Sequence, residues 1–511
     1  MSSKQTLLGT FRATDACQAR KEFRSGNHFM TETSGLCSGF SQVNIVIVPH
    51  SFAKDFAGFC HANSGPMPLL FQSEPGQFTA PPLGEDLDVR TDLGGYDVFE
   101  NGKKSEVVGD LLKFNDQMKE HVSFYLGCSF SFEKEYLDAG LPLRAAQQNR
   151  NTPLYLTNVK CMPYGMFKTC RQFVSMRPIP KHQLELVTNV TLPMVKYHGA
   201  PMHIGDPGMI GIDLNNHDMG DVLDLEEGDV PVFWSCGATG IPAIKNCGAN
   251  LGFTQAQSCM LITDIPTEKD DLGDNASVAV IKVQEVPFFA SIISHAKLQE
   301  INRFLKDSAI TRMDEVLKCA IWLSHSSSVA IVTDQLDNKN INGVLTLVQV
   351  TLALKMKVKV LLHTATNDNL INDVKKRLEI QDGVMEKVKV EQIPKMIGEG
   401  TTESAERDAE MIDYVIMHMP KTEVDISDFM EQVKQTSERV KITAVTENDV
   451  NTKCTADFNI DLASGCGCQL LASLLVILRS CPIHERYQRR NIGYPQSSQL
   501  TESLQEIVAV K

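Results

Sequence analysis

TEKDDLGDN, residues 267–275, is acidic, polar and turn-prone, and the chain changes character across it. Upstream, residues 1–266 are rich in Gly, Pro, Phe and Met, and their apolar runs are short: VNIVIVP (43–49), VSFYLGCSF (122–130) and VPVFWSC (230–236). Runs of that length, bounded by turn residues, predict strands. Downstream, over 276–511, Gly and Pro thin out. There β-branched runs, SSVAIVTD (327–334), KVKVLLHT (357–364), IDYVIMHMP (412–420), VKITAVTEND (440–449) and ADFNIDLA (456–463), alternate with helical stretches such as VLTLVQVTLAL (344–354). That alternation predicts an α/β, Rossmann-like domain with a parallel, helix-covered sheet. The stretch 267–275 therefore reads as the boundary between two domains, 1–266 and 276–511.

Composition bounds the function. With 511 residues, 42% of them hydrophobic and 22% charged, and a mean hydropathy near zero, the chain reads as a soluble globular protein. A net charge of −14 argues against nucleic-acid or anionic-membrane partners, because phosphate binding needs a basic face. The 14 cysteines include a single CxC, Cys466 and Cys468, and no CxxC, so neither a zinc ribbon nor a disulfide framework is indicated and a reducing, intracellular compartment is expected. The longest apolar run, LLASLLVIL (470–478), is too short to span a bilayer and predicts a buried helix. The N-terminal stretch lacks an apolar signal core and mixes Arg and Lys with Asp15 and Glu22, which leaves targeting undecided.

Several polar segments carry candidate chemistry. HGAPMHIGDPGMIGI (198–212) sets His198 and His203 five residues apart with Asp206 three further on, in a stretch read as a loop. Helical metal-ligand spacing is absent, so the reading is a general acid–base His203 oriented by Asp206, with His198 beside it and no metal. DLDVRTDLGGY (86–96) alternates Asp88, Arg90 and Asp92, which in an extended segment puts all three on one face. They are either a surface ion-pair ladder or a guanidinium held for bidentate grip of a substrate carboxylate. LGCSFSFE (126–133) brings Cys128, Ser129 and Glu133 to a strand end, as a nucleophile or oxyanion site or simply as buried small residues. VSMRPIP (174–180) sends Arg177 out of an apolar strand as a second carboxylate clamp. The GxG within SGCGC (464–468) lacks the third glycine of a dinucleotide fingerprint, and no cofactor is expected.

Taken in order, TSGLCSGFSQVNIVIVP, DFAGFCHANSGPMPLL, DVRTDLGGY, LGCSFSFE, AGLPLR, VSMRPIP, HGAPMHIGDPGMIGI, GDVPVFWSCGATG and CMLITD cover roughly residues 30–265 and resemble the hydro-lyase family to which the N-terminal half of animal D-glutamate cyclase belongs. ADFNIDLASGCGCQLLASLLVILRSCPIHERYQRR (456–490) is more weakly similar to the second domain of that enzyme. The resemblance implies an α+β N-terminal domain and conversion of D-glutamate to 5-oxo-D-proline with loss of water. It also implies a mitochondrial matrix location, or a cytoplasmic one if the N-terminus is not a transit peptide. Arg90 or Arg177 would anchor the α-carboxylate, and His203 with Asp206 would take the ammonium proton. Partners are limited to that small carboxylate, with homo-oligomerisation left open.

This chain departs from the family pattern in three places. TQAQSCM puts Gln255 where the family's His-Ala-Pro-Gly stretch has His. LDNKNING keeps only Gly343 of a Thr-Asp-Gly-Pro-Pro-Gly loop. A Gly-Asp-Gly-Gly-Asn-Glu segment has no counterpart between YVIMHMP and VKITAVT. The C-terminal domain therefore reads as catalytically degenerate. The rivals to a cyclase are a non-catalytic member binding a small carboxylate or a protein partner, and a hydro-lyase acting on another small carboxylate.

Overall fold

The computed structural model describes residues 15–26, 29, 30, 32–272, 277–307, 313–326, 328–333, 340–354, 356–362, 376, 388–392, 414–419, 441–446, 458–461, 467–479 and 481. The chain forms two compact units, one of Met1–Val280 with Gln284–Ile292, the other of Ile281–Val283 with Ile293–Lys511. The strands, in chain order, begin with β1 (Phe40–Pro49), β2 (Leu69–Gln72), β3 (Thr79–Ala80), β4 (Gly84–Asp88), β5 (Tyr96–Glu100), β6 (Lys103–Val108) and β7 (His121–Gly127). They continue with β8 (Leu154–Lys160), β9 (Arg171–Pro180), β10 (His203–Gly205), β11 (Asp229–Cys236), β12 (Leu251–Gln255), β13 (Leu261–Pro266), β14 (Val278–Gln284) and β15 (Phe289–Ser294). Those beyond are β16 (Ser328–Thr333), β17 (Lys357–Leu362), β18 (Val388–Gln392), β19 (Tyr414–Met419), β20 (Lys441–Thr446) and β21 (Phe458–Asp461).

The first unit is α+β. One sheet runs β2-β7-β1-β12-β5-β6, with β13 also pairing β1, and a second runs β14-β15-β10-β11-β9-β8. In the first, β1 pairs antiparallel with β7, β12 and β13; in the second, β11 pairs antiparallel with β9 and β10. β1, the run VNIVIVP with its neighbours, is central because both its faces are apolar: Val46 and Val48 pack with Phe56 and Phe59 of the helix His50–Ala62, while Val43, Ile45 and Ile47 pack with Leu87, Tyr125 and Phe253. Burying a side chain of this size contributes roughly 1.5–3 kcal/mol.

The division between units falls later than 267–275. β15 pairs antiparallel with β10 (Ile204↔Ala290), so the strand after the acidic stretch still belongs to the second sheet of the first unit. A drop in local hydrophobicity is thus not by itself a domain end.

In the second unit β18-β17-β16-β19-β20-β21 form a sheet whose neighbours pair in parallel. LLASLLVIL lies in the helix Gly467–Arg479, packed against the helices Asn340–Ala353 and Met313–Ser324, with Leu471, Leu474, Leu475 and Leu478 buried. Among the described residues no helix is long and apolar enough to cross a membrane. Residues 421–439, between YVIMHMP and VKITAVT, lie outside the described residues, as do residues 1–14 of the N-terminal stretch.

Candidate active site

A cleft of about 480 Å³, counted out to its open mouth, lies within the first unit. The first sheet supplies Asn44 from β1, Gln255 from the end of β12, and Cys128 and Ser129 just beyond β7; the second supplies Ser175 from β9 and Cys236 from the end of β11. Asn44 and Ser175 lie within their strands, whereas Gln255, Cys128, Ser129 and Cys236 lie at or just beyond strand ends.

Arg177 stands behind this lining. Residues two apart on a strand share a face, so β9 presents Ser175 and Arg177 together. The guanidinium is 3% exposed; it donates from Nη1 to Ser175 Oγ (3.0 Å) and from Nη2 to Ser129 Oγ (3.2 Å), and its Nη2 lies 3.5 Å from Glu133 Oε1. Its central carbon sits 5.0 Å from the ring centre of Phe132 and 5.6 Å from that of Trp234, which offers the cation two aromatic faces in place of water. Burial pushes the Glu133 carboxyl above its ordinary value, against the pull of Arg177 and of the Ser34 hydroxyl, which donates to Oε2 at 2.8 Å. Burial also raises both thiols that line the cleft, Cys128 most and Cys236 to about 11, so each is a neutral S–H at physiological pH and not a ready nucleophile.

A second network, unforeseen in the sequence, fixes another part of the lining. Gln255 Oε1 accepts from the Ile45 backbone N–H (2.8 Å), Gln255 Nε2 donates to Asn44 Oδ1 (2.8 Å), and Asn44 Nδ2 donates to the Gly127 carbonyl (3.2 Å). The signal was available: Asn44 interrupts an otherwise apolar run, and a buried polar side chain there must be paired.

The remaining predicted site residues serve elsewhere. DLDVRTDLGGY is not an extended ladder. The chain turns after β4, with Asp92 N–H donating to the Asp88 carbonyl (3.2 Å) and the Asp92 carboxylate accepting the Asp88 N–H (2.9 Å). Arg90 is held by both Asp88 oxygens (2.9 and 2.6 Å) and by Asn115 (2.6 Å) over the Phe78 ring, and Asp92 is fully buried against Arg24 (2.6 Å). Local carboxylates claim the Arg90 fork, so it is not poised as a clamp. His203 lies on the short strand β10, buried and stacked near Phe233 and Phe289, and its Nε2 meets the backbone carbonyl of Asp206 (2.7 Å); the Asp206 carboxylate caps Gly208 N–H (3.0 Å) instead. Asp206 therefore meets the imidazole through its backbone carbonyl and not through its carboxylate. His198, in the left-handed region at φ 82°, bonds the Gly65 carbonyl through Nδ1 (2.8 Å). Of the predicted residues, Cys128 and Ser129 line the cleft, with Arg177 and Glu133 directly behind it. Among the described residues no three His, Cys, Asp or Glu side chains gather as a metal site.

Comparison with known proteins reaches the same part of the chain. The family described as D-glutamate cyclase matches residues 122–264, which hold Ser129, Glu133, Ser175, Arg177 and Gln255 but not Asn44. A "putative hydro-lyase" of Xanthobacter autotrophicus is 40% identical over 235 residues, 45% of this chain and 83% of the relative. The protein of that name from Clostridium beijerinckii is 41% identical over 45% of this chain and 88% of its own, and one from Geobacillus kaustophilus is 37% identical over 51% and 98%. With nearly the whole length of such relatives aligned at this identity, the chain belongs to the D-glutamate cyclase family of hydro-lyases.

Proposed function

We propose that the cleft is the active site of a lyase that cyclises D-glutamate to 5-oxo-D-proline and water. The observation that carries this reading is the hydroxyl pair of Ser129 and Ser175. Each Oγ accepts from Arg177, so each hydroxyl hydrogen is left to donate, and among the described residues neither has a protein acceptor. Two O–H donors polarised by a buried guanidinium are suited to a carboxylate and, more so, to the oxyanion that forms when it is attacked.

The reaction balances without a cofactor. One ammonium proton passes to the γ-carboxylate and leaves a neutral amine; its nitrogen attacks the γ-carbon, an N–C bond forms and a C–O bond breaks, and a second nitrogen proton joins the departing hydroxyl as water while the lactam keeps the third. The lining residues include no acidic side chain among those described, and a cleft without a carboxylate favours the neutral amine over the ammonium. That supplies the nucleophile in its reactive form, a task first given to His203 with Asp206. Holding amine and γ-carbon together supplies most of the remaining acceleration.

The test is to follow D-glutamate and 5-oxo-D-proline by chiral chromatography with the purified protein, with and without a chelator. Ser129→Ala and Ser175→Ala should each lower kcat by about 10²–10³, the usual cost of an oxyanion donor. Unchanged turnover in both would reject the assignment. For the second unit, the parallel strand order supports an α/β, Rossmann-like reading with a role in packing or assembly; saturable phosphate binding by the full chain would count against it.

A further inference from the structure

We propose that Asn44 and Gln255 form a second donor pair in the same cleft and make it selective for dicarboxylates, with one carboxylate on the serine hydroxyls and the other on the two side-chain amides. The inference rests on reading the cleft as the substrate site.

Hydrogen-bond bookkeeping fixes the orientation of both amides. The Ile45 N–H can only donate, so the Gln255 atom facing it is the oxygen. Gln255 nitrogen therefore faces Asn44, whose oxygen receives it, and the Asn44 nitrogen is left to meet the Gly127 carbonyl, which can only accept. The chain of amides is pinned by backbone at both ends. Each NH₂ group has a second hydrogen, and among the described residues neither hydrogen has an acceptor, although Asn44 is 1% and Gln255 6% exposed and both line the cleft. Gly237 holds the arrangement from the other side: a Cβ there would stand 2.3 Å from Asn44 Nδ2.

The two pairs differ in charge, and this divides their labour. Arg177 backs the serine pair, so that pair suits the carboxylate at which negative charge develops. The neutral amides suit the carboxylate that does not react, and they act on binding in ground and transition state alike.

Calorimetric titration of the full-length protein with glutarate and with butyrate tests this without turnover, since neither ligand carries an amine. The expected result is glutarate binding at least tenfold tighter than butyrate, with Asn44→Ala abolishing that preference while butyrate affinity holds. If Asn44→Ala does not fold, the comparison of the two ligands on the unchanged protein decides. Glutarate binding no tighter than butyrate, including no binding of either, would overturn the proposal, as would an unchanged preference in a folded Asn44→Ala protein. Formation of 5-oxoproline is read separately: a glutarate preference without D-glutamate turnover would uphold the amide pair and reject the cyclase reading.

Discussion

Arg90 and Arg177 show how two arginines that look alike in sequence separate by what claims their guanidinium. Arg90 is flanked by Asp88 and Asp92, and that proximity, which suggested a clamp, is what occupies it. Arg177 has no charged neighbour in VSMRPIP, so its carboxylate partner, Glu133, comes from elsewhere, and its other bonds go to the hydroxyls of Ser175 and Ser129 at the cleft. We expect Arg90→Lys to leave ligand affinity unchanged and to cost about 0.5–1 kcal/mol of stability, visible as a small fall in melting temperature. Arg177→Lys should lower kcat/KM by about a hundredfold, roughly 2.7 kcal/mol, because a point donor cannot serve both serines. Asp86 gives a pH test. Burial raises its pKa, but the bonds from Arg20 and the charge of Arg24 outweigh that and leave it below the ordinary value. A depressed carboxyl stabilises the fold above its unfolded-state pKa and loses that contribution as pH falls through its folded one. Asp86→Asn should therefore cost about 1 kcal/mol at pH 7 and nothing in strong acid, which melting curves across pH would register.

Among the elements, the apolar runs 43–49, 122–130 and 230–236 were legible as strands because a buried strand needs little more than length, β-branching and turns at its ends, and all three are strands of the first unit. The turn at 88–92 was not legible. Alternation of charge looks the same whether the chain is extended or closed by a side-chain cap, and the Asp92 carboxylate decides for the cap. Nor could the sequence show that Asn44 and Gln255, 211 residues apart, would meet, since that contact exists only through the pairing of β1 with β12. Two glycines at the ends of strands test the close approaches that shape the cleft. A Cβ at Gly127 would lie 1.7 Å from the Lys196 backbone carbonyl, so Gly127→Ala should fail to accumulate as folded protein. At Gly237 the obstacle is a side chain, so Gly237→Ala should fold with a loss of about 1–3 kcal/mol and raise KM by displacing Asn44, as paired melting and kinetic measurements would show.

At the scale of the molecule, the relatives align with about half of the chain, and the site described above lies wholly in the first unit. The two-part change of style across 267–275 was legible, but the position of the division was not, because the pairing of β15 with β10 is a long-range contact that a local drop in hydrophobicity cannot reveal. The chemistry was legible as a family resemblance and as residue types near glycines; which of them share a cleft was fixed only by the register of two sheets. We propose that hydroxyls backed by Arg177 drive an intramolecular dehydration. The most direct measurement is single-turnover conversion of D-glutamate by the purified full-length protein, compared with the folded Ser129→Ala/Ser175→Ala double variant. The account predicts stoichiometric 5-oxo-D-proline from the unchanged protein, none from L-glutamate, and a rate lower by at least a hundredfold in the double variant; the absence of product, or equal rates in the two proteins, would contradict it.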